Sequence, residues 1–183
     1  KSRLEYLSIA DQVLWEQCCL TDKNDITNLL EGHRPNEFYN LAAQSSVFKS
    51  YQEPILTLSF NILSVVTILE SIRETDKSIK FYQASSSEIF GNVNTLPITE
   101  TSTLSPLSPY GVSKTTDFWL TVNYRESFGM FCTSGIAFNH ESPLRNENFF
   151  IKKILNTAFD IKAGRKNFLE VGNIDVKRDF GYA

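Results

Sequence analysis

The sequence predicts an α/β fold, a parallel sheet with helices on both faces. Two observations lead there. Short apolar runs alternate with longer segments of helical period, the pattern of strand–helix–strand units. The polar residues with chemical potential fall where the apolar runs end, and in such sheets ligands bind beyond the carboxyl ends of the strands.

The elements follow in order. "DITNLLEGHRP" predicts a short helix stopped by Gly32 and Pro35, and "NEFYNLAA" a strand. Pro54 suits a first helical position. After it Ile55, Leu58, Ile62, Val65, Val66, Leu69 and Ile72 recur at helical spacing as far as Arg73. "SIKFYQAS" is the second strand. Ser108-Pro109 reads as an N-cap followed by proline, opening a helix that runs to Phe128 and stops at Gly129. "FCTSGIAFN" is the third strand, "NFFIKKILNTAFDIKAG" a helix closed by Gly164, and "NFLEVGN" a further strand.

The 183 residues suit one domain, or one domain and part of another. Hydrophobic residues make up 42% and aromatics 13%, enough for a packed core. Net charge is -3, with no basic excess, which argues against nucleic acid as a partner. Three cysteines without paired spacing and two histidines leave no zinc pattern, so no metal is expected. The same cysteines suggest a reducing, cytoplasmic compartment. No apolar run is read as membrane-spanning, and the N-terminus does not read as a signal peptide, so no membrane association is expected. The chain lacks an initial Met and is expected to be a fragment.

Two stretches carry chemistry. In "ASSSEIFG" an extended backbone would put Ser86 and Glu88 on one face, with Ser85 and Ser87 on the other. A hydroxyl beside a carboxylate can hold a sugar hydroxyl and move its proton. The plain alternative is a serine-rich turn that caps the next segment. In "SPYGVSK", Tyr110 and Lys114 lie one turn apart on a helix face. A nearby ammonium favours phenolate over phenol, which would let the tyrosine act as a base. The plain alternative is a Tyr stem packed on a Lys stem. The order favours chemistry, because the strand-end serine comes first and the tyrosine opens the next helix.

A strand-end serine followed by Tyr-x-x-x-Lys resembles the extended short-chain dehydrogenase/reductases, a partial Rossmann-like sheet. Within them "QASSSEIFG", "SPYGVSK", "VNYRESFGMF", "GIAFNHESPLR" and "VGNIDVKRDFGYA" resemble the GDP-mannose 4,6-dehydratase family, from about Cys18 to Ala183. "NYRESFG" and "FNHESP" are the distinctive strings. The resemblance implies residues 1–140 as a partial NADP-binding domain and 141–183 as the start of a smaller sugar-nucleotide-binding subdomain. It implies oxidation at C4 of GDP-mannose or a related nucleotide sugar, loss of water across C5 and C6, and return of the hydride to C6. The cofactor implied is NADP, with NAD also open. By resemblance Tyr110 is the base at the 4-hydroxyl, Lys114 tunes it and holds the nicotinamide ribose, and Glu88 is the base at C5. Ser86 stands where the family has threonine. Cofactor contacts carried over are Leu41, Ala42, Ala43, Gln44, Ser45, His140 and Arg145. Asn139, Lys153 and Arg178 join Ser86 and Glu88 on the substrate side. A C5 base separates dehydration from an epimerase or 4-ketose reductase, which needs only the tyrosine and hydride transfer.

The sequence also departs from the family. No Gly-rich turn for the pyrophosphate appears, and both ends are expected to be cut. The family's aspartate at the adenine end is Cys19 here, with Asp22 nearby. Without its first strands the sheet would present an open edge, so a homo-oligomer is expected. The missing turn keeps open a folded but non-catalytic fragment.

Overall fold

The computed structural model describes residues 3–93, 95–147, 149–172, 174–175 and 177–182. In chain order the elements are α1 (Arg3–Tyr6), α2 (Lys23–His33), β1 (Glu37–Asn40), α3 (Val47–Gln52), α4 (Pro54–Thr75), β2 (Lys80–Ser86), α5 (Pro109–Phe128), β3 (Cys132–Ala137), β4 (Asn139–Glu141), α6 (Phe150–Lys162) and β5 (Phe180–Tyr182). They fall into two compact units, Glu16–Ala137 and the combination of Lys1–Trp15 with Phe138–Ala183.

In Glu16–Ala137, β1, β2 and β3 form a parallel sheet in that order, with Phe38 beside Phe81 and Phe81 beside Cys132. Parallel neighbours need crossovers. Here α3 and α4 carry the chain from β1 to β2, and α5 carries it from β2 to β3. The expected parallel α/β sheet is therefore present.

Side chains alternate along β2. Phe81, Gln83 and Ser85 are buried, while Tyr82, Ala84 and Ser86 are half-buried. Helices gather over the Phe81 face, where Ile26 and Leu30 of α2 meet Val65, Ile68, Leu69 and Ile72 of α4 and Tyr124 of α5. Burying each of these apolar side chains stabilises the fold by roughly 1.5–3 kcal/mol. On the other face Tyr39 and Tyr82 pack with ring centroids 5.6 Å apart, and Tyr39 stays 60% exposed.

The predicted caps of α5 are in place. Ser108 Oγ accepts from the Gly111 N–H at 2.9 Å, Pro109 follows, and Gly129 ends the helix at φ 67°. Pro54 opens α4 as expected.

Several expectations need correction. Gly32 lies inside α2; the stop is Arg34, in the left-handed region at φ 46°, with Pro35 after it. No strand forms among the described residues of 167–172, and Asn173 lies outside the described residues. The second sheet instead pairs β4 with β5, parallel, with His140 opposite Gly181. Helix α3 was not anticipated.

The apolar stripe read for α4 holds in its second half, where Val65, Leu69 and Ile72 are buried, and departs in its first half. Ile55 is 81% exposed, while Thr57, Asn61 and Ser64 are buried. This half of α4 packs on α5, where Gly111, Ser113 and Thr121 are buried as well. Small side chains let two helices approach closely. Their hydroxyls are satisfied within their own helices, Ser64 Oγ by the Asn61 carbonyl and Thr121 Oγ1 by the Asp117 carbonyl.

Contrary to the sequence reading, α4 is long and apolar enough to cross a membrane by length and composition, with 22 residues and a mean hydropathy of 1.9 in its most apolar window. In this fold it is the central core helix, packed against both α2 and α5.

Candidate active site

The site lies in the Glu16–Ala137 unit, beyond the carboxyl ends of β1 and β2. After Ser86 the chain leaves the extended form and turns through a single 3-10 turn, Ser87–Ile89. Ser86 Oγ accepts the Glu88 N–H at 3.3 Å. The alternation expected to put Ser86 and Glu88 on one sheet face therefore stops before Glu88. The capping role first weighed as an alternative is the one Ser86 fills.

α5 begins directly over this turn. A Cβ on Gly111 would lie 2.8 Å from the Glu88 carbonyl oxygen, so only glycine lets the first turn of α5 settle there. That contact sets Tyr110, which is buried, at the same strand end as Glu88, which is half-buried.

Lys114 follows one turn on. Its side chain is 4% exposed, and its Nζ donates to the Ala84 carbonyl at 3.0 Å. Asp117 Oδ2 lies 3.4 Å from the same amine. Burial holds the Lys114 amine below the ordinary lysine range, and the Asp117 carboxylate opposes that shift. Burial also pushes Asp117 up to about 6, with Lys114 opposing.

The loop after β1 forms the second wall. Leu41 is 72% exposed, Ser45 is exposed, and Ala42 and Ala43 are half-buried. Gln44 is committed to the loop itself. Its amide donates to the Ser46 carbonyl and to Thr57 Oγ1, and its Oε1 accepts the Ser46 N–H at 2.7 Å.

Asn61 is the organiser that sequence reasoning missed. Its Oδ1 accepts the Gln44 N–H at 2.9 Å, and its Nδ2 donates to the Gln44 carbonyl and to Ser113 Oγ. One buried amide thus ties the loop of β1 to the start of α5. The available signal was a single asparagine inside an otherwise apolar helical run.

The remaining predicted residues lie in the other unit. Asn139, His140, Lys153 and Arg178 are exposed. His140 Nδ1 lies 2.9 Å from the Phe138 carbonyl, and Arg178 donates to the Lys177 carbonyl. Arg145 lays its guanidinium over the Phe149 ring at 3.7 Å and faces Glu141 at 3.9 Å. Lys153 lines a cavity of about 360 Å³ with Thr157, Lys166, Asn167, Phe168 and Glu170. The lining carries two ammonium groups and one carboxylate, with two neutral polar groups and one ring, and Lys166 is already paired with Asp160 at 3.3 Å.

The departure at Cys19 is structural in its effects. Its Sγ lies 3.3 Å from Thr21 Oγ1, a bond that holds the exposed thiol below its ordinary range. Asp22 does not replace the missing acceptor. Its carboxylate caps α2 by accepting the Asn24 and Asp25 N–H groups.

A parallel sheet, a polar turn at its central strand end, and Tyr110 and Lys114 on the helix that follows are features of an extended short-chain dehydrogenase/reductase. The chain belongs to the GDP-mannose 4,6-dehydratase family, whose match covers residues 2–183. It is 44% identical over 166 residues to a GDP-mannose 4,6-dehydratase of Vibrio cholerae, covering 90% of this chain and 45% of that protein. The chain thus spans under half the length of this relative. Among solved structures it is similar to RMD from Pseudomonas aeruginosa complexed with NADPH, with TM-score 0.83 and 29% identity over 91% of this chain and 57% of that one. It is also similar to the UDP-glucose 4-epimerase of Thermus thermophilus complexed with NAD, with TM-score 0.81 and 25% identity over 96% of this chain and 58% of that one.

Proposed function

We propose that this chain carries the acid–base centre of a GDP-mannose 4,6-dehydratase, acting on GDP-mannose with NADP. The observation that carries the reading is the seating of α5. Gly111 sits against the Glu88 backbone and Lys114 reaches the Ala84 carbonyl. The start of α5 and the turn that carries Glu88 are thereby held at one strand end, which supports the reading.

In this reading Tyr110 takes the proton of the C4 hydroxyl. Lys114 keeps its charge beside the phenol and favours the phenolate. Among the described residues its Nζ donates one hydrogen bond, to the Ala84 carbonyl, which leaves donor capacity for a ribose hydroxyl. The ribose end of a nicotinamide nucleotide therefore fits. When bound, the nicotinamide supplies the hydride acceptor at C4 and the donor at C6. The C4 ketone acidifies C5, and Glu88 removes that proton as water leaves from C6. Ser86 acts by holding the turn that carries Glu88. Ala42 and Ala43 leave room for a cofactor's close approach after β1, and Lys153 keeps the substrate-side role that the family resemblance implies. His140, Arg145, Asn139 and Arg178 keep the cofactor and substrate roles that the family resemblance implies.

Association completes the reading. α4 exposes Leu56 and Leu63, and α5 exposes Val112 and Trp119. A homo-oligomer that buries them is the arrangement we infer.

Titration calorimetry with NADP, with and without GDP-mannose, tests the function. Micromolar binding to the chain and at least tenfold weaker binding to Lys114→Met are expected. Equal binding by both proteins would overturn the assignment of Lys114. With cofactor bound, mass spectrometry should show the sugar nucleotide losing one water, and Glu88→Gln should abolish that loss.

A further inference from the structure

Lys114 and Asp117 form a charge pair buried more deeply than any other ion pair among the described residues, with side-chain exposures of 4% and 1%. Removing two such charges from water costs several kcal/mol each unless good geometry and further hydrogen bonds compensate. Compensation is sparse here. The separation of 3.4 Å is long for a hydrogen bond, and among the described residues neither Asp117 oxygen has a hydrogen-bond partner. A packed apolar side chain would cost the fold less. The carboxylate is better explained by its effect on the amine one turn back.

We propose that Asp117 is a positioning residue for the Tyr110–Lys114 pair, a counter-ion in a dry pocket that keeps the amine protonated and aims it at the end of β2. The role rests on the reading of Lys114 as the lysine of the hydride-transfer site. Without a counter-ion, burial would drive the amine toward its neutral form. A neutral amine would no longer favour the phenolate of Tyr110.

The surrounding charges support a two-group system. On elements packed against α5 the titratable groups include Glu70 on α4, Tyr82 and Cys132 on the strands, Glu88 in the turn, and Lys49 on α3. Glu70 is bound to Arg73 and Tyr124, and Lys49 is paired with Glu53. Burial pushes the Cys132 thiol to about 11, so it stays neutral near pH 7. Lys114 is the charge that acts on Asp117, and Asp117 is the charge that acts on Lys114.

NMR titration of the full chain, labelled at lysine Cε and aspartate Cγ, tests this without cofactor or substrate. The Lys114 signal is assigned by its absence in Lys114→Met. In Asp117→Asn, Lys114 should titrate about one unit or more lower than in the unmodified chain, and Asp117→Glu should restore most of that shift. An unchanged Lys114 titration in Asp117→Asn would overturn the proposal, even in a protein that turns over substrate. Should Asp117→Asn fail to fold, the unmodified chain decides. An Asp117 that titrates in the ordinary carboxylate range, with no matching change at Lys114 Cε, would overturn it equally. Because the titration reads the amine directly, absence of NADP binding would count against the dehydratase reading and leave this result standing.

Discussion

Glu70 shows how far one carboxylate can be drawn from its ordinary behaviour outside the site. The Arg73 guanidinium beside it, together with the Tyr124 hydroxyl at 2.6 Å, holds its pKa at about 2. Depressed in the fold, it adds stability that is fully present above pH 4.5 and lost as pH falls toward 2. The shift corresponds to roughly 3 kcal/mol, and partial exposure reduces this to about 1–2 kcal/mol. Glu70→Gln should therefore unfold at lower urea concentration at neutral pH, with the difference closing as pH approaches 2. Parallel curves at all pH values would contradict this. Gly135 gives a steric prediction at the same scale. A Cβ there would run into the Tyr82 ring, so Gly135→Ala should cost about 1–3 kcal/mol, read from the denaturation midpoint.

Among the elements, α5 does most to set the site, and its ends can be tested separately. Ser108→Ala removes the cap on Gly111 and should cost about 1 kcal/mol. Gly111→Ala should cost more, and it should also weaken NADP binding, because the added methyl lifts the first turn off Glu88. Loss of stability with unchanged binding would separate α5 from the site. These ends were legible in the sequence because Ser-Pro and Gly announce themselves through backbone constraints of their own. α2 was less legible. Gly32 suggests a stop that the helix does not need, and nothing about Arg34 announces a left-handed residue. The strands β4 and β5 have three residues each, too few to show a period. The buried stripe of α4 departs from the reading only in the first half of the helix, for another reason. Thr57, Asn61 and Ser64 face inward because α5 presents small residues to them, and that partner lies far along the chain.

At the scale of the whole molecule, the candidate site residues were more legible than the residues that support them. Tyr110, Lys114 and Glu88 stand out by type and order. Asn61 and Asp117 have meaning only through neighbours that folding brings to them. Among the described residues β1 and β3 are the outer strands of their sheet, and α4 and α5 expose large apolar side chains. Sedimentation equilibrium should therefore give a mass above that of one chain. A single-chain mass at tens of micromolar would contradict the inferred oligomer.

The order of that sheet also bears on how the protein reaches its fold. β2 is central and pairs on both sides with distant chain; Asn40 bonds Gln83, 43 residues on, and β3 follows only after α5. Non-local parallel pairing is slow to form, because loop closure precedes any gain from contact. The strand end that carries Ser86 and the start of α5 therefore acquire their final geometry late, after both crossovers have closed. In pulse-labelling hydrogen exchange the amides of α4 should gain protection first, and those of Glu88 and Gly111 last.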